Sequence, residues 1–177
     1  MKKFLKIFVA LIAFGFSGCE KDDICADTTP TTPRIVLEFF NKDNPEVNRN
    51  LSNLAAIAEG ESAGIVFDGA LTANPVTKFY TNANKIYLPL RLNAETTKFA
   101  LTLNADLPAS NTDTLTFNYS TRQLYVSRAC GYKTNFRLNS ENAVVRPDND
   151  TDEWINNFII ETNLIETENE THIKVYF

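Results

Sequence analysis

Short stretches in which apolar and polar residues alternate constrain the fold of this chain more than any other feature. They follow one another from Arg34 to Phe177, separated by turn residues at intervals of about 8–12 positions. A period of two places every second side chain on the same face, so each stretch predicts a half-buried β-strand. The apolar members of the clearest stretches are Ile35, Leu37 and Phe39; Ile86, Leu88, Leu90 and Leu92; Phe99, Leu101 and Leu103; Leu115, Phe117 and Tyr119; Leu124 and Val126; and Ile173, Val175 and Phe177.

This spacing predicts an all-β fold with at most one short helical turn. We expect an antiparallel β-sandwich of eight or nine strands, immunoglobulin-like or transthyretin-like. Residues 51–59 fit either a helix or a strand, and we favour a strand. Residues 120–122, Ser-Thr-Arg, predict a tight turn between two strands, and Asp150 with Glu153 predicts a capped helical turn. The last strand is expected to be woven into a sheet.

The first 18 residues have the layout of an export signal. A basic start, Met1-Lys2-Lys3, leads into an apolar stretch at 7–14 and then into Ser17-Gly18-Cys19. The apolar stretch is shorter than the roughly 20 residues that a membrane-spanning helix needs. The end of the segment resembles the lipobox of bacterial lipoproteins, with Phe16 where leucine is usual. The resemblance implies a lipoprotein signal peptide at residues 1–18 and lipidation of Cys19, and the alternative is an ordinary secreted protein with an unrelated cysteine.

The residues after Cys19 predict a domain on a short tether. Residues 20–23, Glu-Lys-Asp-Asp, resemble the surface-export signal of Bacteroidota lipoproteins, but they also fit an ordinary charged tether. We therefore expect an outer-membrane lipoprotein of the cell envelope and leave open whether it faces the cell surface or the periplasm. Residues 19–33 are charged and then Thr/Pro-rich, which predicts a lipidated N-terminus and spacer. Residues 34–177 are predicted to form the β-sandwich domain.

The charge of the chain argues against nucleic acid as a partner. The formal net charge is −5, and removal of the signal peptide with its three lysines leaves the mature chain at −8. Nucleic acids and anionic membranes are bound by basic patches, so the acidic balance disfavours both kinds of electrostatic partner. The membrane contact that we expect is made through the N-terminal lipid.

Three cysteines are present, and lipidation of Cys19 leaves Cys25 and Cys130 as an even pair. In an oxidising compartment such a pair favours a disulfide. The alternatives are two free thiols or a pair of metal ligands, and the chain has one histidine to add to them.

Aspartates at alternating positions form a weak candidate for a calcium site. Asp148, Asp150 and Asp152 resemble the start of an EF-hand loop. Glu153 stands where that loop requires glycine, and Ile159 stands where it requires a bidentate glutamate. We therefore favour a solvated, capped loop and expect no metal or other cofactor.

Catalytic motifs are not found in the sequence, and we assign no catalytic residue. His172 is expected to be a solvent-facing strand residue, since it lacks a pattern of partner ligands or a nucleophile. The separated carboxylates Glu38, Glu95 and Glu161 fit a hydrolase only if the fold brings them together. Numerous aromatic residues either pack in the core or form an exposed tyrosine face for a glycan or protein. They are Phe39, Phe40, Phe79, Tyr80, Tyr87, Tyr119, Tyr125 and Tyr176.

Several short motifs together resemble small Bacteroidota lipoproteins of uncharacterised function. They are residues 19–25 (CEKDDIC), the entry into the first strand at 31–39 and Ala129-Cys130-Gly131. The resemblance implies a lipidated, disulfide-stapled β-domain without catalytic residues. Our first hypothesis is a non-enzymatic envelope lipoprotein that acts as a binding or interaction module. The alternatives are a carbohydrate-acting or other hydrolase with a dispersed carboxylate site, and a structural subunit of an outer-membrane complex.

Overall fold

The computed structural model describes residues 24–69, 77–147 and 152–177, and in these ranges the protein is built almost wholly of strands. One 3-10 turn, at Thr77–Phe79, is the only helical element within them. The prediction of an all-β antiparallel sandwich is confirmed. The strands are β1 Ile35–Phe40, β2 Leu54–Ala58, β3 Tyr80–Thr81, β4 Lys85–Leu88, β5 Thr96–Leu103, β6 Asn111–Ser127, β7 Gly131–Leu138, β8 Val144–Val145, β9 Asn157–Ile160, β10 Leu164–Ile165 and β11 Ile173–Tyr176.

The described residues contain eleven strands, where the alternation predicted eight or nine. Three of them, β3, β8 and β10, have two residues each, which is too short to show a period of two. The ambiguous segment at 51–59 contains β2, so the expectation of a strand is confirmed.

One sheet has four strands in the order β4-β1-β11-β9. β1 and β11 lie side by side at its centre and run parallel, with Leu37 opposite Ile173 and Phe39 opposite Val175. The other two pairings are antiparallel. The last strand is therefore woven into the sheet, as predicted. Pro89 follows directly after the edge strand β4, where its missing N–H removes no ladder hydrogen bond.

The second sheet has seven strands, in the order β10-β7-β6-β5-β2-β3 with β8 paired to β6. The inner faces of the two sheets pack into one hydrophobic core. Phe39 of β1 stacks on Trp154 at 6.2 Å between ring centroids, and Trp154 meets Phe177 edge-on at 5.5 Å. The buried carboxylate of Asp113 accepts hydrogen bonds from the backbone N–H of Trp154 (3.3 Å) and Ile155 (2.7 Å). Asp113 thereby fixes the chain that carries Trp154 into the core.

β6 runs unbroken through residues 120–122, so the predicted tight turn there is wrong. Its first half pairs with β5 and its second half with β7. The run Ser-Thr-Arg-Gln at 120–123 is polar because none of the β6 side chains from Ser120 onward is buried, and not because the chain reverses. Thr favours strands, and the segment contains no Gly, Pro, Asn or Asp to turn it. The true reversal lies at 128–130.

Candidate functional site

The β6–β7 ribbon continues past Tyr119 as what we call the hairpin arm, residues 120–137, of which Phe136 still belongs to the core. Its base is the pair Ser120–Arg137, and its pairing runs through Arg122–Asn135 and Tyr125–Tyr132 to Ser127–Gly131. The register shifts between Tyr125 and Ser127, just before the turn. Gly131 follows the turn with φ +69°, a left-handed conformation that glycine adopts without strain. The chain therefore reverses just before this glycine, whereas the sequence analysis placed the turn at 120–122.

A disulfide joins the tip of the hairpin arm to the N-terminal segment. Cys25 and Cys130 are bonded, with Cα atoms 5.0 Å apart, so the predicted pairing is confirmed. Further along, Thr32 Oγ1 accepts a hydrogen bond of 2.9 Å from the backbone N–H of Thr134. The described part of the predicted spacer therefore lies against β7 and forms one wall of a hollow of about 640 Å³ beside the hairpin arm.

Two tyrosines stand exposed on one face of the hairpin arm. Tyr125 and Tyr132 are directly opposite each other, with their ring centroids 5.5 Å apart in an edge-to-face arrangement. Their exposed fractions are 63% and 68%, although aromatic side chains of this size are usually at least half buried. Tyr132 also lines the hollow beside the N-terminal segment. Of the aromatics predicted as a possible binding face, Phe39 and Tyr119 are core residues, while Tyr125 is exposed.

The opposite face of the hairpin arm is polar. Arg122 of β6 lies beside Asn135 of β7, and Arg137 is its diagonal neighbour. Together with Leu164 and Glu166 they line a hollow of about 190 Å³. The two arginines are exposed, whereas Asn135 is 6% exposed and its Oδ1 atom accepts no hydrogen bond from any described residue. The sequence did not predict this cluster, because a turn at 120–122 would separate Arg122 from Asn135 and Arg137.

Residues 68–177 match DUF6452, a family of unknown function. The chain belongs to this family. The match includes both strands of the hairpin arm and Cys130, whereas Cys25 lies before it. No curated protein and no solved structure matches the chain. Membership in DUF6452 agrees with the expected uncharacterised family, while the bacterial group and the lipidation stay predictions.

His172, inside the DUF6452 match, is buried, so the prediction of a solvent-facing histidine is wrong. Its Nδ1 atom accepts a hydrogen bond of 2.9 Å from the backbone N–H of Val36, which draws the ring onto β1. The alternation of apolar and polar residues placed His172 on the outer side of the last strand. His172 instead precedes β11, and its ring is enclosed there. Burial lowers the pKa of His172 below its ordinary value, and the carboxylates of Glu170 and Glu168 offset only part of this effect.

Two of the three candidate carboxylates lie on the outer face of the four-stranded sheet. Glu38 forms an ion pair with Lys85 at 3.5 Å, and Glu161 forms one with Lys174 at 3.2 Å. Burial raises the pKa of Glu38, but hydrogen bonds from Thr171 and Asn48 and the charge of Lys85 together hold that pKa below its ordinary value.

The third carboxylate, Glu95, precedes β5 of the other sheet, and its backbone carbonyl accepts a hydrogen bond from Tyr119 N–H. Glu38 and Glu161 each pair with a lysine, an arrangement that is typical of a charged strand surface.

Three of the predicted site residues lie outside the described residues: Cys19, Asp148 and Asp150. Asp152, the remaining calcium candidate, is exposed, and its backbone carbonyl accepts a hydrogen bond of 2.5 Å from Asn111 Nδ2. Within residues 24–69, 77–147 and 152–177, no three His, Cys, Asp or Glu side chains are grouped as a metal site requires. In the same part of the chain, no helix has the length and apolar character to cross a bilayer.

Proposed function

We propose that the protein is a lipid-anchored, non-enzymatic binding module of the bacterial cell envelope, and that the hairpin arm is its recognition element. The observation that carries this proposal is the exposed Tyr125–Tyr132 pair on a ribbon whose tip is held by a disulfide. Edge-to-face tyrosines offer a large contact area with few rotatable bonds, which suits recognition.

The energetics of the hairpin arm support a presenting role. An isolated two-stranded ribbon is marginally stable in water, and in this one the β6 half buries no side chain from Ser120 onward, while the β7 half buries Thr134, Asn135 and Phe136. The disulfide and the Thr32–Thr134 hydrogen bond hold it in place from outside the core. The part of the arm toward its tip adds no residue to the core, so its fixed position is best explained by the exposed tyrosines that it carries.

The proposed anchor places this element near the membrane. Five residues lie between Cys19 and Cys25, so the chain makes six steps of at most about 3.3–3.6 Å each when fully extended. If Cys19 carries the lipid, Cys25 lies within about 20–22 Å of it, and Cys130, whose Cα atom is 5.0 Å from that of Cys25, lies within about 25–27 Å. Ligands of the hairpin arm would then be bound close to the bilayer surface.

Affinity capture from envelope extracts tests the proposal. The bait is the full lipoprotein, compared with a Tyr125→Ser/Tyr132→Ser double variant. The matched control is Leu92→Ser/Leu107→Ser, which removes two apolar side chains that are 53% and 49% exposed elsewhere on the surface. We expect a reproducible partner with the wild type and the control, and its loss with the tyrosine variant. Equal capture by all three baits would refute a role for the tyrosines.

One observation favours the alternative of a structural subunit. β9 is an edge strand of the four-stranded sheet, and its Ile159 and Ile160 are 46% and 39% exposed. An uncovered apolar edge strand is a template for pairing with another chain. If assembly occurs there, Ile159→Lys would reduce the mass of the complex measured by light scattering, whereas the tyrosine variant would not.

A further inference from the structure

The three most exposed large hydrophobic side chains of the described residues lie at one end of the protein. Ile24 is 82% exposed, Tyr132 68% and Tyr125 63%, whereas no other large hydrophobic side chain in the described ranges exceeds 53%. All three lie close to the Cys25–Cys130 bridge. Ile24 precedes Cys25, Tyr132 is two positions after Cys130, and Tyr125 is directly opposite Tyr132. We call Ile24, Tyr125 and Tyr132 the exposed tip.

The bridge keeps the members of the exposed tip together. Consecutive Cα atoms are about 3.8 Å apart. The Cα atoms of the two bridged cysteines are 5.0 Å apart, so the Cα atom of Ile24 lies within about 9 Å of that of Cys130. The ring centroids of the two tyrosines are 5.5 Å apart. An isoleucine from the N-terminal segment and two tyrosines from the hairpin arm therefore form one exposed surface.

The predicted lipid anchor leads to the same end of the protein. The described residues begin at Ile24, and Cys19 is five positions before it. Five fully extended steps cover at most about 17–18 Å, which is less than the roughly 30 Å thickness of the hydrocarbon core of a bilayer. If Cys19 carries the lipid, the exposed tip is the part of the described protein that the anchor holds at the membrane.

The side chains of the exposed tip suit the boundary between lipid and water. A tyrosine ring is apolar and its hydroxyl group is polar, and tyrosine is enriched at membrane interfaces for this reason. Isoleucine adds apolar area that leaves water when it contacts lipid. The anchor also makes the contact intramolecular, and a short linker gives an effective concentration in the millimolar range. A weak contact with the bilayer is then sufficient to hold the tip there.

Charge contributes little to this contact. The hairpin arm, residues 120–137, contains four basic residues and no acidic one, a net charge of +4. Residues 20–27 contain four acidic residues and one lysine, a net charge of −3, so the two segments together carry 4 − 3 = +1. The membrane contact therefore depends on apolar side chains, which agrees with an acidic chain that does not favour electrostatic binding to anionic membranes.

We infer that the exposed tip enters the interface of the bilayer that carries the lipid, so that the protein contacts the membrane at two points and its domain is held in one orientation. This inference rests on the proposed function, because it names the bilayer as the ligand of the tyrosines on the hairpin arm. The β5–β6 connection, which contains Leu107, lies at the opposite end of β6, roughly 45 Å along the strand from Tyr125. That connection then faces away from the bilayer.

Quenching of tryptophan fluorescence by brominated lipid tests the contact. The full lipoprotein is reconstituted into phosphatidylcholine vesicles with or without bromine on the acyl chains, and the reporter is Tyr132→Trp or Ile24→Trp. The native Trp154 is 9% exposed, and its emission is subtracted by means of the wild type. We expect brominated lipid to quench both reporters. Leu107→Trp is the matched control and should keep its full intensity, since Leu107 is 49% exposed but far from the tip.

The role of the tyrosines is tested with Ile24→Trp as the reporter. Tyr125→Ser/Tyr132→Ser should lower the quenching of this reporter, because it removes the two rings that hold the tip in the interface. Leu107→Ser removes an exposed apolar side chain at the other end of β6 and should leave the quenching unchanged. Thermal denaturation of each variant separates loss of membrane contact from loss of folding, and the second reporter replaces the first if Tyr132→Trp folds poorly.

Three results would overturn the inference: no quenching of either reporter, equal quenching of Leu107→Trp, or quenching that does not depend on the tyrosines. If one of these results occurs together with partner capture that depends on Tyr125 and Tyr132, the ligand of the hairpin arm is a protein and the proposed function stands. Wild-type protein that does not float with the vesicles would refute the proposed lipid anchor, and the inference with it.

Discussion

Replacing both cysteines of the Cys25–Cys130 bridge with serine is expected to lower the thermal midpoint of the protein by about 10–20 °C. The bridge joins residues that are 105 positions apart. In the chain-entropy model, a closed loop of about 100 residues restricts the unfolded state by about 4.7 kcal/mol at 25 °C. For a protein of 150–250 residues, each kcal/mol moves the midpoint by about 2–4 °C. Multiplying about 4.7 kcal/mol by about 2–4 °C per kcal/mol gives the expected shift of the midpoint.

A second effect should be confined to the hairpin arm. The β6 side chains beyond Tyr119 are not buried, and on β7 burial ends at Thr134, so the tip of the ribbon is held by its ladder, the bridge and the Thr32–Thr134 hydrogen bond. Without the bridge, the tip should open locally at a lower free energy than the core. Amide exchange at Lys133 and Thr134 should then accelerate more than exchange at Leu101, which lies in the core strand β5.

Thermal denaturation followed by circular dichroism measures the global effect, and hydrogen exchange measures the local one. Ala129→Ser is the matched control, because it introduces a serine next to Cys130 and leaves both cysteines of the bridge in place. Wild-type protein treated with reductant provides the same comparison if the double variant folds poorly. A midpoint within about 2 °C of the wild type would refute the reasoning from loop entropy. Two alkylatable thiols at Cys25 and Cys130 in the untreated protein would refute the bridge itself.

Three further predictions concern the core, the pH dependence and the anchor. The free energy of unfolding, measured in urea, should fall as the pH drops below about 6.5. The reason is that His172 binds a proton more readily in the unfolded state than in the folded state, where its pKa is lowered. His172→Gln should flatten this pH dependence. Asp113→Ala leaves the buried N–H groups of Trp154 and Ile155 without acceptors and should cost about 3 kcal/mol in the free energy of unfolding, measured by urea denaturation. Cys19→Ser should move the protein from the membrane to the soluble fraction after carbonate extraction, and a wild-type protein found in the soluble fraction would contradict lipidation.

The long apolar alternations predicted the sheet correctly, whereas polar stretches did not. Ile35, Leu37 and Phe39 lie in β1 with their side chains in the core, as their period of two requires. Ser120 to Gln123 have no apolar members, so the alternation of apolar and polar residues does not separate a solvated strand from a turn there. His172 shows a second limit of the prediction. The alternation tells on which side of a strand a residue lies, but not whether other parts of the chain cover that side.

The polar face of the hairpin arm could not have been predicted for the same reason. Arg122 and Asn135 become neighbours only because the ribbon reverses at 128–130, and their register follows from the place of that turn. A turn at 120–122 would have put Arg122 in a loop. Gly131 and the strand preference of Thr121 together predict the ribbon, but no feature of the sequence predicts the burial of Asn135.

The parallel pairing of β1 with β11 has a consequence for the order in which the protein folds. β5, β6 and β7 follow one another through short connections and can pair as soon as they are synthesised, whereas Val36 meets His172 across 136 positions. Contacts between residues so far apart in the sequence form late, because the entropy of closing the long loop is lost before the contacts stabilise the chain. We therefore expect the larger sheet to form first and the smaller sheet to pack onto its apolar inner face later. In that interval the apolar inner face is uncovered, and the chain is most exposed to aggregation and proteolysis.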